Sequence, residues 1–424
     1  MHDRAAELEV DHLIQPRWAG VLCVVVLASV ILRQPVLFFA GAVLLLALGM
    51  SWIWGRYCLE RLEYRRAFSS TTVAFGEEVT LSITVVNRKL LPLAWIEIDD
   101  EIPRSLQPAR GELLPLWKPQ RGILQQLLAL RWYERVTRRY QLRCTERGEQ
   151  VFGPVELRSG DLFGLARRRL SLPARQTLLV YPKVVPVTAL GLPSRFPLGD
   201  ERSRQRIFRD PLRVAGTRPY IQGDSLRQVH WKATARLGTL QVKNEEPSVT
   251  LRAMLLLNLQ TTSRIWEGAS ADLLELLICV AASLASHLAA QRAQYGLISN
   301  ALLAHTEGGV RVPVSRSPRQ LTRILTVLAQ ITPLATTPFV DLLAAERQRV
   351  PVGSTIVLIT GFLDQQILDQ AHAYRSAGHP VRLLLAGEAL REVATPGLTA
   401  AWIGDERRWR NLQALQVAWP PTGR

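Results

Sequence analysis

The sequence predicts a multi-domain chain: an N-terminal two-helix transmembrane hairpin, an all-β sandwich of immunoglobulin-like type, and a C-terminal α/β domain with a parallel sheet. Three observations carry this. Two apolar runs lie side by side near the N-terminus, a strictly alternating stretch follows near residue 80, and beyond residue 250 continuous apolar segments alternate with helical ones. At 424 residues the chain can hold two or three domains, each with its own core.

Residues 1–58 hold the N-terminal tail and the hairpin. Residues 18–32 are apolar with Ser29 as the only polar side chain, residues 35–54 form a second run with a single Ser, and only Arg33 and Gln34 separate them. The 20 residues of the second run match what a helix needs to cross the hydrocarbon layer. The first run, at 15 residues, spans about 22 Å, with Arg17 and Arg33 placed to snorkel at its ends. A cleaved signal peptide is the competing reading, but no small-x-small site precedes Arg33 and a second apolar run follows at once. Arg56, Arg61, Arg65 and Arg66 follow the second run, against a nearly empty turn on the other side. The positive-inside rule then puts the N-terminus and everything after residue 56 in the cytoplasm, with Trp18, Trp52 and Trp54 at the interfaces.

Residues 60–182 read as the β-sandwich. Val79, Leu81, Ile83 and Val85 share one face of an alternating strand, and further strand segments fall at 94–98, 140–143 and 155–157, with Gly76 and Gly148 in the turns between. Asp99, Asp100 and Glu101 read as a solvated strand end. Residues 183–250 read as a connector, irregular and proline-rich to about residue 219. Its run Arg202, Arg204, Arg206, Arg209 and Arg213 is most simply solvated, the alternative being a patch for phosphate or an acidic partner.

In residues 251–424 the buried-type strands are 253–259, 295–299, 355–360 and 381–385, and the helices are 271–291, 318–330 and 364–376. Strands and helices at this spacing imply a parallel sheet covered on both faces. The helix at 271–291 carries Asp272, Glu275 and His287, which makes it a core helix and not a third span.

Composition narrows the chemistry. Apolar residues at 48% and charged ones at 21% describe a folded chain. The net charge of +16 comes from 47 Arg and 5 Lys scattered throughout, without the clustered stripe and reading motif of a nucleic-acid binder. Cys23, Cys58, Cys144 and Cys279 stand far apart, which suggests neither a zinc site nor a disulfide framework. There is no phosphate-binding loop, nucleophile elbow or dinucleotide fingerprint, so no cofactor and no catalytic residue is expected.

The most distinctive stretch is 220–247. Tyr220, Gly223-Asp224, Arg227, Trp231-Lys232, Ala235-Arg236 and Gly238, with Glu245-Glu246 behind them, resemble the signature of the domain-of-unknown-function 58 family. His230 and Val229 stand where other members often have Asp and Ile. The resemblance extends to Asp161-Leu162-Phe163-Gly164-Leu165 and Val180-Tyr181-Pro182 at the end of the β-domain. It implies a bacterial inner-membrane, multi-pass protein whose α/β domain is von Willebrand factor A-like. It also implies an adaptor or scaffold role beside a MoxR-type AAA+ ATPase. An A-type domain binds Mg²⁺ through Asp-x-Ser-x-Ser after its first strand. Here the matching residues are Asn258, Gln260 and Thr262, so that metal site is expected to be degenerate.

Within the signature, Asp224 can cap a helix covering residues 225–236. Trp231 is expected to be a buried anchor amid paired charges. Tyr220, Gly223, Asp224, Arg227, His230, Trp231, Lys232 and Arg236 are therefore the candidate interaction residues. The alternative is a hydrolase or phosphate-ligand enzyme centred on Asp224, His230, Lys232 and Arg236.

Overall fold

The computed structural model describes residues 7–12, 17–109, 112–188, 209–221, 226, 229–247, 252–262, 270–304, 309–417 and 419. The chain forms two compact units that meet in sequence between Lys183 and Val184, apart from the short segment Leu325–Gln330, which clusters with the first.

The first unit opens with strand β1 (Glu7–His12) and two apolar helices, α1 (Arg17–Ile31) and α2 (Pro35–Tyr57). α2 is long and apolar enough to cross a membrane, and α1 is a shorter apolar helix. Their side chains are bare: Val24, Leu27, Val30, Leu37, Phe39 and Leu46 are all exposed, where a soluble helix pair would bury one face. The helices touch closely at Gly41, where an added Cβ would lie 2.5 Å from Val26 Cγ2. Gly41→Leu is therefore expected to destabilise the full chain in detergent by about 1–3 kcal/mol. Gly49→Leu, with nothing within 4 Å of its Cβ position, should leave the thermal midpoint unchanged or higher; equal effects at both sites would refute the close packing.

After α2 come β2 (Leu62–Phe68), β3 (Thr72–Val73), β4 (Glu78–Asn87), β5 (Leu93–Pro103), β6 (Leu106–Pro108), β7 (Leu114–Pro115), β8 (Arg121–Leu130), β9 (Arg135–Cys144), β10 (Gly148–Phe152), β11 (Val155–Gly160), β12 (Ala166–Leu172) and β13 (Gln176–Val180). They form a six-stranded sheet β1-β12-β11-β5-β8-β7, a four-stranded sheet β2-β4-β9-β6 and a three-stranded sheet β10-β13-β3. Period-two patterning turns Val79, Leu81, Ile83 and Val85 of β4 toward Ile96, Ile98, Leu124 and Leu157 of the larger sheet, and all are buried in one core. β1 pairs antiparallel with β12, Glu7 opposite Ser171 through His12 opposite Ala166. β1 before α1 and β2 after α2 thus lie in two sheets of the same unit, so α1 and α2 form a hairpin with both ends on one side.

The acids of β5 correct the expectation of a solvated strand end. Asp100 is fully buried and Asp99 nearly so. Asp100 Oδ2 accepts from Arg66 Nε at 3.0 Å and from Tyr64 Oη at 2.7 Å, while Arg66 Nη2 donates to Oδ1. Tyr64 and Arg66 lie on β2, in the other sheet, so this pair joins the two sheets through the core. Burial pushes the Asp100 carboxyl up, with Arg66 pulling against it, and burial and then the Asp100 charge push the Tyr64 phenol up as well.

The second unit contains β14 (Val187–Thr188), β15 (Arg209–Pro219), α3 (Trp231–Leu237), β16 (Gln241–Pro247), β17 (Arg252–Leu257), α4 (Ala271–Ala290), β18 (Gln294–Ser299), β19 (Ala301–Leu303), β20 (Val310–Ser315), α5 (Gln320–Gln330), β21 (Ile331–Ala335), α6 (Phe339–Glu346), β22 (Thr355–Thr360), α7 (Gln365–Ser376), β23 (Val381–Ala386), β24 (Thr399–Gly404) and β25 (Leu415–Gln416). Its main sheet runs β20-β18-β17-β22-β23-β24, parallel throughout except for β20 at the edge. The expected strands β17, β18, β22 and β23 are all present, each an almost continuous buried run. α4 is apolar enough to pass as a membrane span, yet 72% of its apolar stretch is buried inside the fold, as in a core helix. α6 and α7 pack on Met254, Leu256, Ile356 and Leu358 from the sheet. Residues 209–219, the last part of the stretch expected to be irregular, instead form β15, antiparallel to β16. Arg202, Arg204 and Arg206 lie outside the described residues.

Candidate functional site

The signature folds as a short helix clasped by the β15–β16 pair. Tyr220 N–H donates to Leu240 O at 2.9 Å, His230 N–H to Gln241 O at 2.8 Å, and Val229 bridges to Val242, both buried. This strand-like tie holds residues 229 and 230 extended, so α3 starts only at Trp231, later than the expected start at 225. Its cap is His230, whose Nδ1 accepts from Ala233 N at 3.1 Å. Gly238, at φ 66°, closes the helix in the left-handed conformation that favours glycine, its N–H donating to Thr234 O. Gln241 N–H reaches Thr234 Oγ1 at 3.0 Å and fixes the helix to β16.

The candidate residues separate on this frame. Gly223, Asp224 and Arg227 lie outside the described residues, and with them the expected Asp224 cap and its charge pairs. Tyr220 is half-buried and His230 is used as a helix cap. Trp231 is 67% exposed, which overturns the expectation of a buried anchor: Val229 and Val242 fill the small core instead. Lys232 and Arg236, one turn apart on α3, are also exposed, and neither has an ion-pair partner among the described residues. Leu226, Leu237 and Leu240 add exposed apolar surface within the same module. The result is a projecting apolar and cationic face, not a cleft with converging acids and bases.

At the C-terminal ends of β17, β18 and β22 lies the other candidate position. Asn258 Nδ2 donates to Thr360 Oγ1 at 2.9 Å, and Asn258 Oδ1 accepts from Gln260 N at 2.9 Å and Asn300 Nδ2 at 3.3 Å. Asn300 Oδ1 in turn accepts from Leu259 N at 2.9 Å. Asn258, Asn300 and Thr360 are fully buried. Gln260 Nε2 turns to Thr262 O, and Asp364 Oδ1 caps α7 through Ile367 N at 2.8 Å. A hard divalent cation needs carboxylate oxygens free to coordinate. These donors do not fit one, because the amides and hydroxyl already satisfy each other. A cavity beneath α4, lined by Ala253, Leu255, Leu284, Leu288, Thr355 and Trp419, measures about 20 Å³, room for a single water and far below a metabolite site.

Comparison with known proteins finds one matching region. Residues 216–397 match the family model described as "Protein of unknown function DUF58". This is a DUF58 region. It takes in the β15–β16 clasp, α3 and most of the main sheet. The "Uncharacterized protein YeaD" of Bacillus subtilis (strain 168) is 25% identical over 245 residues, so the match spans 57% of this chain and only 57% of that relative's length. Among solved structures, a β-glucosidase from Erythrobacter marinus and the sporulation control protein Spo0M from Bacillus subtilis each cover 28% of this chain. They cover 15% and 49% of their own chains, at 12% and 10% identity, both with a TM-score of 0.18. At that score they say nothing about the DUF58 fold.

Proposed function

We propose that the protein is a membrane-anchored adaptor that acts by binding protein partners and not by catalysis, with its DUF58 signature as a docking element. The observation that carries this reading is the exposed face of α3: Trp231, Lys232 and Arg236 project from a helix held rigidly at both ends. Exposed aromatic and cationic side chains on a rigid mount are the usual energetic centres of protein interfaces. The family resemblance points to a MoxR-type AAA+ ATPase as the partner. The strand order of the main sheet, with one antiparallel edge strand beside β18, supports a von Willebrand factor A-like reading of the second unit. The two packed sheets of the first unit support an immunoglobulin-like one. The hairpin is the anchor, in the bacterial inner membrane with the body cytoplasmic, as the arginines after α2 suggest.

The test uses the full chain in lipid nanodiscs and a purified MoxR-type AAA+ ATPase from the same organism. Trp231→Ala with Arg236→Glu should weaken binding at least about tenfold, the loss of one interface centre, while the circular dichroism spectrum stays unchanged. Equal binding by wild type and variant would remove the signature from the interface. Turnover of a phosphoester or peptide substrate that Asp224→Ala abolishes would replace the adaptor with the hydrolase.

A further inference from the structure

Three loops of the first unit converge on the place where α2 leaves its apolar segment. In loop 88–92, Arg88 N–H donates to Arg61 O at 3.0 Å, Lys89 Nζ donates to the carbonyls of Cys58 and Glu60, and Pro92 O accepts from Trp54 Nε1 at 3.0 Å. Loop 131–134 is bound to it, Tyr133 N–H reaching Lys89 O and Asn87 Nδ2 reaching both Leu91 O and Arg131 O at 2.9 Å. Loop 161–165 leads into the strand that meets the next two residues of the helix. There a Cβ on Gly55 would sit 2.6 Å from Ala166 Cβ, and Arg168 donates to Arg56 O.

Each loop is stiff, and each turns large apolar side chains outward. Buried Asp161 accepts from Phe163 N at 3.2 Å and Ala166 N at 2.9 Å, which leaves Leu162 and Phe163 at the tip of the turn. Lys89 is buried against the C-terminus of α2, its amine pushed down to about 8 by that burial, and its neighbour Leu90 points out. Tyr133 holds φ at 51°, a left-handed conformation costly for an aromatic residue, and stands beside Trp132. Leu90, Trp132, Tyr133, Leu162 and Phe163 are between 56% and 74% exposed. Exposed Arg56, Arg61, Arg131 and Arg167 lie among them. Direction settles what faces them. Going from Arg168 to Ala166 along β12 moves from Arg56 to Gly55 along α2, so continuing to Phe163 moves toward the apolar part of the helix.

We propose that these three loops form a collar around α2 that sits in the interfacial layer of the bilayer the helix enters. The aromatic and aliphatic tips enter the boundary between headgroups and acyl chains, and the arginines meet lipid phosphates. The collar fixes the tilt of the first unit against the membrane by adding contacts away from the hairpin axis. It gives the Asp161–Leu165 motif a role, that of a rigid turn presenting Leu162 and Phe163. The proposal rests on the hairpin reading of α1 and α2.

Its test keeps the two ideas apart. In the full chain with Cys23→Ser, whose other cysteines are all buried, single cysteines replace Leu90, Trp132 or Phe163 and carry an environment-sensitive fluorophore in nanodiscs. Trp117→Cys is the control, because Trp117 is 83% exposed beyond the opposite end of β8, about 30 Å away along the strand. Leu46→Cys reports the hairpin. The proposal expects blue-shifted emission at positions 90, 132 and 163, quenched by lipids with a nitroxide near the headgroup, and none of this at 117. If position 46 is quenched by a deep nitroxide while 90, 132 and 163 behave like 117, the hairpin spans and the collar is wrong. If position 46 is not quenched either, the hairpin reading and the collar fall together.

Discussion

Arg66→Ala is expected to lower the stability of the first unit by about 3–5 kcal/mol, the cost of leaving a buried carboxylate without its partner. Asp100 and Arg66 are almost wholly shielded from water, at 0% and 3% side-chain exposure, and among the described residues no other cation pairs with Asp100. Arg121 acts on Asp100 only as the weakest contributor. The guanidinium also lies over the Phe152 ring at 5.6 Å, so its loss removes packing as well as charge. Substituting both partners, Arg66→Met with Asp100→Leu, should restore most of the loss, since an apolar pair of similar volume avoids both desolvation costs. The sign of the pH dependence follows from Asp100. Its carboxyl is held above the usual range, so between the unfolded and folded values the native state binds more protons and stability falls as pH rises. Without Arg66 only the Tyr64 hydrogen bond and the weaker pull of Arg121 oppose the upward push, and the Arg66→Ala deficit should shrink on acidification from pH 7. Unfolding in detergent followed by tryptophan fluorescence measures both effects. A deficit that grows toward low pH would contradict the pairing.

This ion pair also shows where sequence reasoning stops. Hydropathy alone marks the hairpin, because an apolar run has to be covered wherever it sits, and the period-two pattern of β4 and the apolar runs of β17 and β22 are equally local signals. The role of Asp100 is set by Arg66, 34 residues away on the opposite sheet, and three consecutive acids look like a solvated end until that partner is seen. β1 is hidden in the sequence for a similar reason: Leu8 and Val10 alternate with Glu7, Glu9 and Asp11, but six residues are too few to separate a strand from a charged tail without β12 beside them. Composition alone misleads at Trp231. A tryptophan among charges suits a buried network, yet here the bridge from Val229 to Val242 fills the core and sends the ring outward. That Asn258, Gln260 and Thr262 carry no carboxylate is legible in the sequence; that the amides close into a network with Asn300 and Thr360 is not.

That network makes the second large prediction. Asn258→Asp changes one atom at a fully buried position, but it turns the group that donates to Thr360 Oγ1 into an acceptor. Thr360 Oγ1 already accepts from Phe362 N at 3.1 Å and donates to Phe362 O, so its proton is not free to turn toward the new oxygen. A carboxylate placed there loses a hydrogen bond, faces another oxygen and has no cation beside it among the described residues. The expected cost is about 3 kcal/mol or more. Were the site a cation site, the same substitution would restore a ligand and gain stability when Mg²⁺ is added. The neutral network predicts the reverse: wild type melts at one temperature with or without Mg²⁺, and Asn258→Asp melts lower with little recovery from the ion. Gln260→Ser added to Asn258→Asp supplies a hydroxyl where A-type domains carry one. A Mg²⁺-dependent rise in that double variant alone would mean that the loop backbone keeps the shape of an ion site and only the side chains have changed. A rise in the wild type would sink the neutral network, because amides and hydroxyls bonded to each other leave the ion no free oxygen.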